Sequence, residues 1–526
     1  MARKIFFAAA IIVSSLIVAA AFFRPGALWA FVVVGPLIGL GLYDIIQCEH
    51  SLLRIYPVIG HGRYLMEEVR PEIQQYFVES NTDGMPFSRE FRSIVYQRAK
   101  GDLDTRAFGT QHDVNQVGYE WMHHSLAPTQ TSETEERVRV GGEDCRRPYL
   151  ASHLNISAMS FGSLSKNAIL ALNKGAKLGG FAHNTGEGGL STYHLKPGGD
   201  IIWQVGTGYF GCRTLDGGFD PSAFTDNAGH DVVKMIEIKL SQGAKPGHGG
   251  ILPAEKVTEE IARIRGVPLG HDVISPPAHT AFSNPAGLLA FVARLRELSQ
   301  GKPVGFKLCV GHRSEFLGIC KAMIETGILP DFITVDGAEG GTGAAPLELT
   351  NSLGMPLRDG LIFVHNALTG IGLRDKIRII AAGKIITAFH MFRTIALGAD
   401  MCNSARGMMF ALGCIQARRC NSNTCPVGIA TQEPSRVRGL DVNHKAQRVA
   451  RYHSATIRSF LEILSAAGLE HASKIRPDHV LRRIDTATIR HLGEIYPVLP
   501  RGCLIEPNAV PESWRDDWQR ARADHW

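Results

Sequence analysis

The chain reads as an α/β protein built on a (β/α)8 TIM barrel, with an apolar helical hairpin before it and a helical extension after it. Three observations predict this. Short apolar runs alternate with helix-length segments from residue 153 to residue 404, the order that winds a parallel sheet inside a layer of helices. Glycine, serine and charged residues gather just past the C-terminal ends of those runs, as in Ser160-Phe161-Gly162, Gly186-Glu187-Gly188 and Gly340-Gly341-Thr342, and a barrel builds its site from the loops at that rim. Finally, 526 residues with 44% apolar and 20% charged side chains can bury a large core. A doubly wound open sheet shares the alternation and is the competing architecture.

Residues 1–47 form the hairpin. The stretch 5–23 carries no charge, Arg24-Pro25-Gly26 interrupts it, and a second uncharged stretch covers 27–43. Each approaches the ~20 residues that cross a bilayer as a helix. A cleaved signal peptide, with Ala19-Ala20-Ala21 as its cleavage site, is the alternative, but it leaves the second run unexplained. Arg3 and Lys4 at one end and His50 and Arg54 at the other place both ends on the cytoplasmic side. Arg24 in the turn argues mildly against this. The expectation is a multi-pass protein of the cell inner membrane with its catalytic domain facing the cytoplasm.

Residues 48–150, with a helix over 63–79, are expected to form a collar. The barrel is assigned to 151–440. Its eight candidate strands are 153–159, 181–184, 235–240, 272–274, 304–310, 332–335, 377–381 and the run ending at 401–404. Helices are expected over 165–178, 315–326 and 388–397. Residues 441–526 read as a helical extension with a Pro/Arg/Trp-rich tail. The motif Gly206-Thr207-Gly208-Tyr209-Phe210-Gly211 fits a dinucleotide fingerprint, but more loop follows it where a helix should open, so it is read as a turn. Hence no NAD(P) site is expected.

The strongest chemical signal is Cys414, Cys420 and Cys425, spaced Cys-x5-Cys-x4-Cys with Pro426 directly after. Cysteine-only ligation with a trailing proline favours an iron–sulfur centre. Structural zinc would need a fourth ligand, from Cys402, His390 or a distant group. Ten cysteines spread over this length make no disulfide framework, and three ordinary buried thiols are the plain alternative. Lys307 stands inside an apolar strand, where burial is costly unless it faces an anion. Gly383-Lys384 and Ser404-Ala405-Arg406 fall after the seventh and eighth strands, where barrels hold phosphate. Glu187 and Glu339 sit in glycine-rich loops. They could order a substrate or Lys245, or simply cap backbone amides. The formal charge of +6 is modest, and no basic run with interleaved aromatics occurs, so no nucleic-acid partner is expected.

Six segments, in order, resemble the FMN-binding domain of glutamate synthase: residues 157–163, 184–189, 242–247, 274–277, 340–344 and 414–432. The resemblance spans about residues 150–465. It implies an FMN-bearing barrel with a [3Fe-4S] cluster on Cys414, Cys420 and Cys425. It also implies Ala158, Met159, Ser160, Gln242, Lys307, Gly341, Gly383, Lys384, Ser404, Ala405 and Arg406 around the cofactor. Glu187, Lys245 and Glu339 would border the substrate, with Lys307 at the flavin ring. The implied reaction is reductive amination of 2-oxoglutarate to glutamate, with ammonia or an amine as nitrogen donor and a ferredoxin or reductase subunit as electron donor. Departures from the family pattern are the missing N-terminal cysteine nucleophile, the missing β-helix, and His248, Ala338 and Ala381-Ala382 at positions usually filled otherwise. They leave the keto acid and nitrogen source open. Synthesis of an N-substituted glutamate and a membrane-anchored electron conduit are the alternatives.

Overall fold

The computed structural model describes residues 2–132 and 134–526. The chain falls into two compact units, Met1–Arg89 and Glu90–Trp526. The segment 48–150, expected as one collar, is thus divided between them.

In the first unit, α1 (Ala2–Phe23) and α2 (Phe31–Ile46) are joined by a 3-10 turn, Pro25–Ala30. Proline at the first position of that turn gives up an amide that had no intrahelical partner, so the reversal is inexpensive there. The helices approach closely where Gly41 meets Phe6: a Cβ at Gly41 would lie 2.2 Å from the ring. Ala2–Phe23 and Pro25–Ile46 are both long and apolar enough to cross a membrane, a test that an N-terminal signal sequence also passes. Their large side chains, among them Ile11, Leu16, Phe22 and Val33, are exposed. In the last turn of α2, the buried Asp44 carboxylate accepts from the Val58 amide (2.8 Å) and pairs with His61 Nε2 (2.9 Å). The helix expected over 63–79 is α3 (His61–Ile73), which widens into a π turn over Gln74–Val78.

The second unit begins at the second residue of α4 (Arg89–Lys100) and is centred on a closed parallel barrel. Its strands are β1 (Leu154–Ile156), β2 (His183–Asn184), β3 (Ile201–Val205), β4 (Val233–Lys239), β5 (Val304–Leu308), β6 (Phe332–Asp336), β7 (Arg378–Ala382) and β8 (Met401–Ser404). They follow one another in sequence order, and β8 closes on β1 through Ser404 opposite Ile156. One strand expectation is corrected. Val273–Ile274 is not in the wall but pairs antiparallel with Ile251–Leu252 outside it, with Ile274 exposed. The wall strand is Ile201–Val205, buried at all five positions. The glycine motif after it is a loop, with Tyr209 and Gly211 at φ 49° and 89°. No helix begins there until Asp220 caps Pro221–Ala228.

The helix α5 (Lys166–Gly179) starts on Ser165, whose hydroxyl accepts from the Ala168 amide, and stops at Gly180 in the left-handed region. A hairpin, Val138–Val140 with Tyr149–Ala151, plugs the N-terminal mouth of the barrel. Its Val140, Tyr149 and Ala151 join Ala182, Ile202, Met235, Phe332 and Met401, near the strand starts, in one buried cluster. That mouth is filled with packing, which leaves the opposite rim for chemistry. The C-terminal extension adds strands to the expected helices. After α6 (Val442–Ala466), Val480–Arg483 pairs with both Glu120–Met122 and Ile489–His491. The tail is anchored by Trp514, stacked on Phe363 at 5.2 Å.

Candidate functional site

Parallel closure puts all eight strand C-termini at one rim, and the residues singled out in the sequence arrive there from separate strand ends. Ala158, Met159 and Ser160 follow β1, Glu187 follows β2, and Gln242 and Lys245 follow β4. Lys307 lies in β5, Glu339 and Gly341 follow β6, Gly383 and Lys384 follow β7, and Ser404 ends β8 ahead of Ala405 and Arg406.

Glycines make this crowding possible. Gly186, at φ 65°, passes so close to the β1 loop that a Cβ would lie 2.9 Å from the Ser160 amide nitrogen. Gly250 faces Glu187 itself, where a Cβ would lie 2.4 Å from Oε1. Glu187 Oε1 pairs with Lys239 Nζ at 2.7 Å. Burial alone would raise the Glu187 pKa, but Lys239, Lys245 and Arg265 outweigh it and hold the carboxyl below its usual range. Lys245 shows the reverse balance. Burial brings its pKa down to about 8 against the pull of Glu187, and the ammonium donates to the Ala344 carbonyl at 3.0 Å. Arg265, brought down to about 10 by burial, donates to the Phe161 carbonyl at 3.1 Å. Three cations around one carboxylate leave an excess of positive charge that favours an anionic ligand.

His279 supports this group from behind. Burial lowers its pKa to about 4, so the ring is neutral at physiological pH. Its Nε2 lies 2.9 Å from the Lys239 carbonyl and must donate. Nδ1 therefore accepts from the Tyr209 hydroxyl (3.1 Å), whose oxygen in turn accepts from the Thr280 and Ala281 amides.

Lys307 is the register partner of Lys239 on the neighbouring strand, so the two point to the same side. The anion it faces comes from the protein: Asp336 Oδ2 lies 3.1 Å from its Nζ and also accepts from the Gly243 amide at 3.0 Å. Burial pulls the Lys307 pKa down, yet Asp336 and then Glu237 outweigh it, and the ammonium is held above its ordinary value. Glu237 is fully buried in the barrel and accepts from Asn184 (2.8 Å), Gln204 (2.6 Å) and Thr334 (2.6 Å).

On the far side of the rim, Arg406 donates to the Glu339 carbonyl at 2.7 Å and lies against Gly341, where a Cβ would meet its Nε at 2.9 Å. Lys384 is lowered by burial and then by Arg406 beside it. Two cations at the ends of β7 and β8 fit a phosphate, and with Lys307 across the rim the set fits an anionic flavin mononucleotide. Three of the residues singled out in the sequence also bond within the protein. The Ser404 hydroxyl donates to the Ile385 carbonyl at 2.7 Å. Glu339 Oε2 accepts from the Leu357 amide (3.0 Å) in the first turn of the helix Leu357–Gly370, the capping role left open from sequence. Gln242 Nε2 lies 3.5 Å from the Thr342 hydroxyl.

The three cysteines follow the helix Arg406–Leu412, which Gly413 ends at φ 112°. Their loop has no regular structure, and Gln416, Arg418 and Asn423 all have positive φ. Its backbone is held by the Tyr96 hydroxyl on the Cys414 carbonyl (2.5 Å) and by Lys256 Nζ on the Cys420 carbonyl (2.6 Å). Cys425 is buried and the other two partly so. Burial pushes the Cys414 thiol up to about 12, and Cys420 and Cys425 lie near enough to add to this. Cys402 is buried in β8, and the Cys414 and Cys420 thiols are acted on by burial, by neighbouring cysteines, and by Arg92 and Lys256 respectively. Among the described residues no three His, Cys, Asp or Glu side chains are gathered as a metal site would gather them. The loop brings the sulfurs into mutual electrostatic range without closing them on one point. A purely thiolate donor set suits iron and sulfide, whose positive charge would ionise thiols that burial otherwise keeps neutral.

Sequence reasoning missed Lys239, Arg265, His279, Asp336 and Lys256. Lys239 carried the signal that exposed Lys307, a charge at the inward period of an apolar strand. Arg265 and Lys256 lie in the excursion between β4 and β5, and only the fold brings them to the rim.

Residues 112–470 match the conserved region in glutamate synthase. The chain is 38% identical over 515 residues to the glutamate synthase large subunit-like protein YerD of Bacillus subtilis, covering 89% of this chain and 98% of that one. It is 38% identical over 328 residues to the archaeal glutamate synthase [NADPH] of Methanocaldococcus jannaschii, covering 62% of this chain and 61% of that one. Against the glutamate synthase [NADPH] large chain of Bacillus subtilis it is 32% identical over 364 residues, which cover 23% of that much longer protein. A matched region that runs through the whole barrel, its rim and the cysteine loop places this chain in the glutamate synthase family.

Proposed function

We propose that this oxidoreductase of the glutamate synthase family reductively aminates a dicarboxylic 2-oxo acid, 2-oxoglutarate in the first instance, to the corresponding amino acid. The observation that carries the reading is the charge layout of the rim. Lys384 and Arg406 sit at one side for a phosphate, while Lys239, Lys245 and Arg265 ring Glu187 at the other for a dianion. FMN, once bound there, would supply hydride to the substrate, and a [3Fe-4S] centre on Cys414, Cys420 and Cys425 would supply it with electrons one at a time.

The chain's own residues then have distinct tasks. Lys384 and Arg406 would hold the phosphate, and Lys307, kept charged by Asp336, would supply a positive charge to the flavin's anionic side. Lys245 and Arg265 bind substrate carboxylates. Glu187, kept ionised by its three cations, orients the nitrogen end of the substrate by accepting hydrogen bonds. Lys245, with its pKa near neutrality, is the group best suited to give up a proton.

The nitrogen source is ammonia, free or from a partner, and the electron donor is a ferredoxin or a reductase subunit. Residues 2–46 anchor the protein in the inner membrane with the barrel on the cytoplasmic side, a reading supported by two exposed apolar helices with basic residues at their outer ends. Stopped-flow reoxidation of the photoreduced flavin tests the reaction. It should be fast with 2-oxoglutarate plus ammonia and slow with either alone. Preference for methylamine over ammonia would assign synthesis of an N-substituted glutamate. A flavin blind to every keto acid would leave the electron conduit.

A further inference from the structure

Lys256 is 2% exposed and lies in a short turn, Ala254–Lys256, of the excursion between β4 and β5. Buried ammonium groups need an anion nearby. Lys239 has Glu187 and Lys307 has Asp336. Among the described residues no carboxylate pairs with Lys256. Its Nζ donates to two carbonyls, Cys420 at 2.6 Å and Ser163 at 3.3 Å, and lies within electrostatic range of the Cys420 and Cys425 sulfurs.

Those two carbonyls belong to the two loops that matter. Ser163 ends the β1 loop on the flavin side of the rim, and Cys420 is the middle cysteine. The same seam is closed by Gln432 Nε2 on the Gly162 and Leu164 carbonyls (2.9 and 3.0 Å) and by Ser165 Oγ on the Gly428 carbonyl (2.7 Å). Asn423 Nδ2 on the Glu255 carbonyl (3.1 Å) ties in the Lys256 turn. Among these side chains bridging the two loops, Lys256 is the charged one; two further cations act on the cysteine loop, Arg436 through the Thr424 carbonyl (2.8 Å) and Arg92 on the Cys414 thiol.

We infer that Lys256 is a positioning residue whose fixed positive charge balances the cysteine-held redox centre and sets how readily that centre accepts an electron. The inference rests on the iron–sulfur reading above. An electron added to the centre raises its negative charge, and a buried cation at this range favours the reduced state because little water screens it. Lys256 thereby raises the centre's potential relative to the same site without the charge.

The test compares the full-length wild type with Lys256→Met, which keeps the length of the stem, and Lys256→Arg, which keeps the charge. All three are purified anaerobically, assayed for iron, sulfide and FMN, and titrated with reductant while the electron paramagnetic resonance signal is followed. The methionine variant is expected to shift the one-electron equilibrium at least tenfold toward the oxidised centre, a displacement of about 59 mV. The arginine variant should stay within about threefold of wild type, and the flavin should titrate alike in all three. Iron lost from the methionine variant, with FMN retained and iron restored in the arginine variant, also supports a role for the charge. An unshifted methionine variant that holds its iron overturns the inference, as does equal loss of iron from both variants. A wild type devoid of iron would instead overturn the iron–sulfur reading itself, so the two failures are told apart.

Discussion

Replacing Lys245 by methionine removes the rim cation whose protonation the fold has moved closest to neutrality. Burial brings the pKa to about 8 even with Glu187 opposing it, so the wild-type side chain is largely ammonium below that pH and neutral above it. A dianionic keto acid binds the ammonium form better. The dissociation constant should therefore be flat below about pH 8 and rise as pH passes through it, by up to about tenfold per unit. Ligand binding stabilises the charge, so the inflection in the complex lies above that in the free protein. A hydrogen bond to a charged partner is worth about 1.5–3 kcal/mol, so Lys245→Met should weaken 2-oxoglutarate by roughly 10- to 150-fold at pH 7 and leave its binding indifferent to pH near 8. The assay is perturbation of the oxidised flavin spectrum by the keto acid, titrated at a series of pH values. A variant that binds within twofold of wild type, or that keeps the inflection near pH 8, would refute the assignment of Lys245 to the substrate.

Two further outcomes follow from the rim. Lys384→Ala should weaken FMN, since the cation beside Arg406 is lost from the phosphate side. Flavin released on dilution measures this, and external phosphate should compete more weakly with FMN in the variant than in wild type. Gly250→Ala would set a methyl carbon 2.4 Å from Glu187 Oε1. It should cost about 1–3 kcal/mol in overpacking, seen as a lower denaturation midpoint, and should also weaken keto-acid binding by displacing the carboxylate from Lys239.

The barrel was legible because its strands are short apolar runs with polar punctuation at one end, and wall strands such as Phe332–Asp336 and Arg378–Ala382 fall where that pattern puts them. The error at 272–274 has a physical cause. Apolar character marks a strand but does not say which sheet it joins, and a two-residue pairing on an excursion looks locally like a two-residue wall strand such as His183–Asn184. Ile201–Val205 is an apolar run too, but the glycine motif behind it was read as a turn and the run was not counted among the wall strands. In the site, Lys307, Glu187 and Lys384 could be found because a charge in an apolar strand or tight glycine loop needs a reason. Asp336 was hidden at the end of its strand, where acids are common. Arg265 and Lys256 were invisible because their burial is made entirely by long-range packing. Glu339 shows the converse: its glycine-rich loop suggested chemistry, and one of its oxygens is engaged with a helix amide.

The reading advanced for this rim requires a flavin and a cysteine-held redox centre in the same molecule. Anaerobic purification of the full chain, with flavin and iron counted on the same sample and its paramagnetic resonance spectrum recorded, tests this most directly. Flavin and a cysteine-dependent cluster signal should appear together, the signal vanishing in Cys420→Ser while the flavin stays. A chain that carries flavin but no iron, or a cluster signal that survives that substitution, would contradict it.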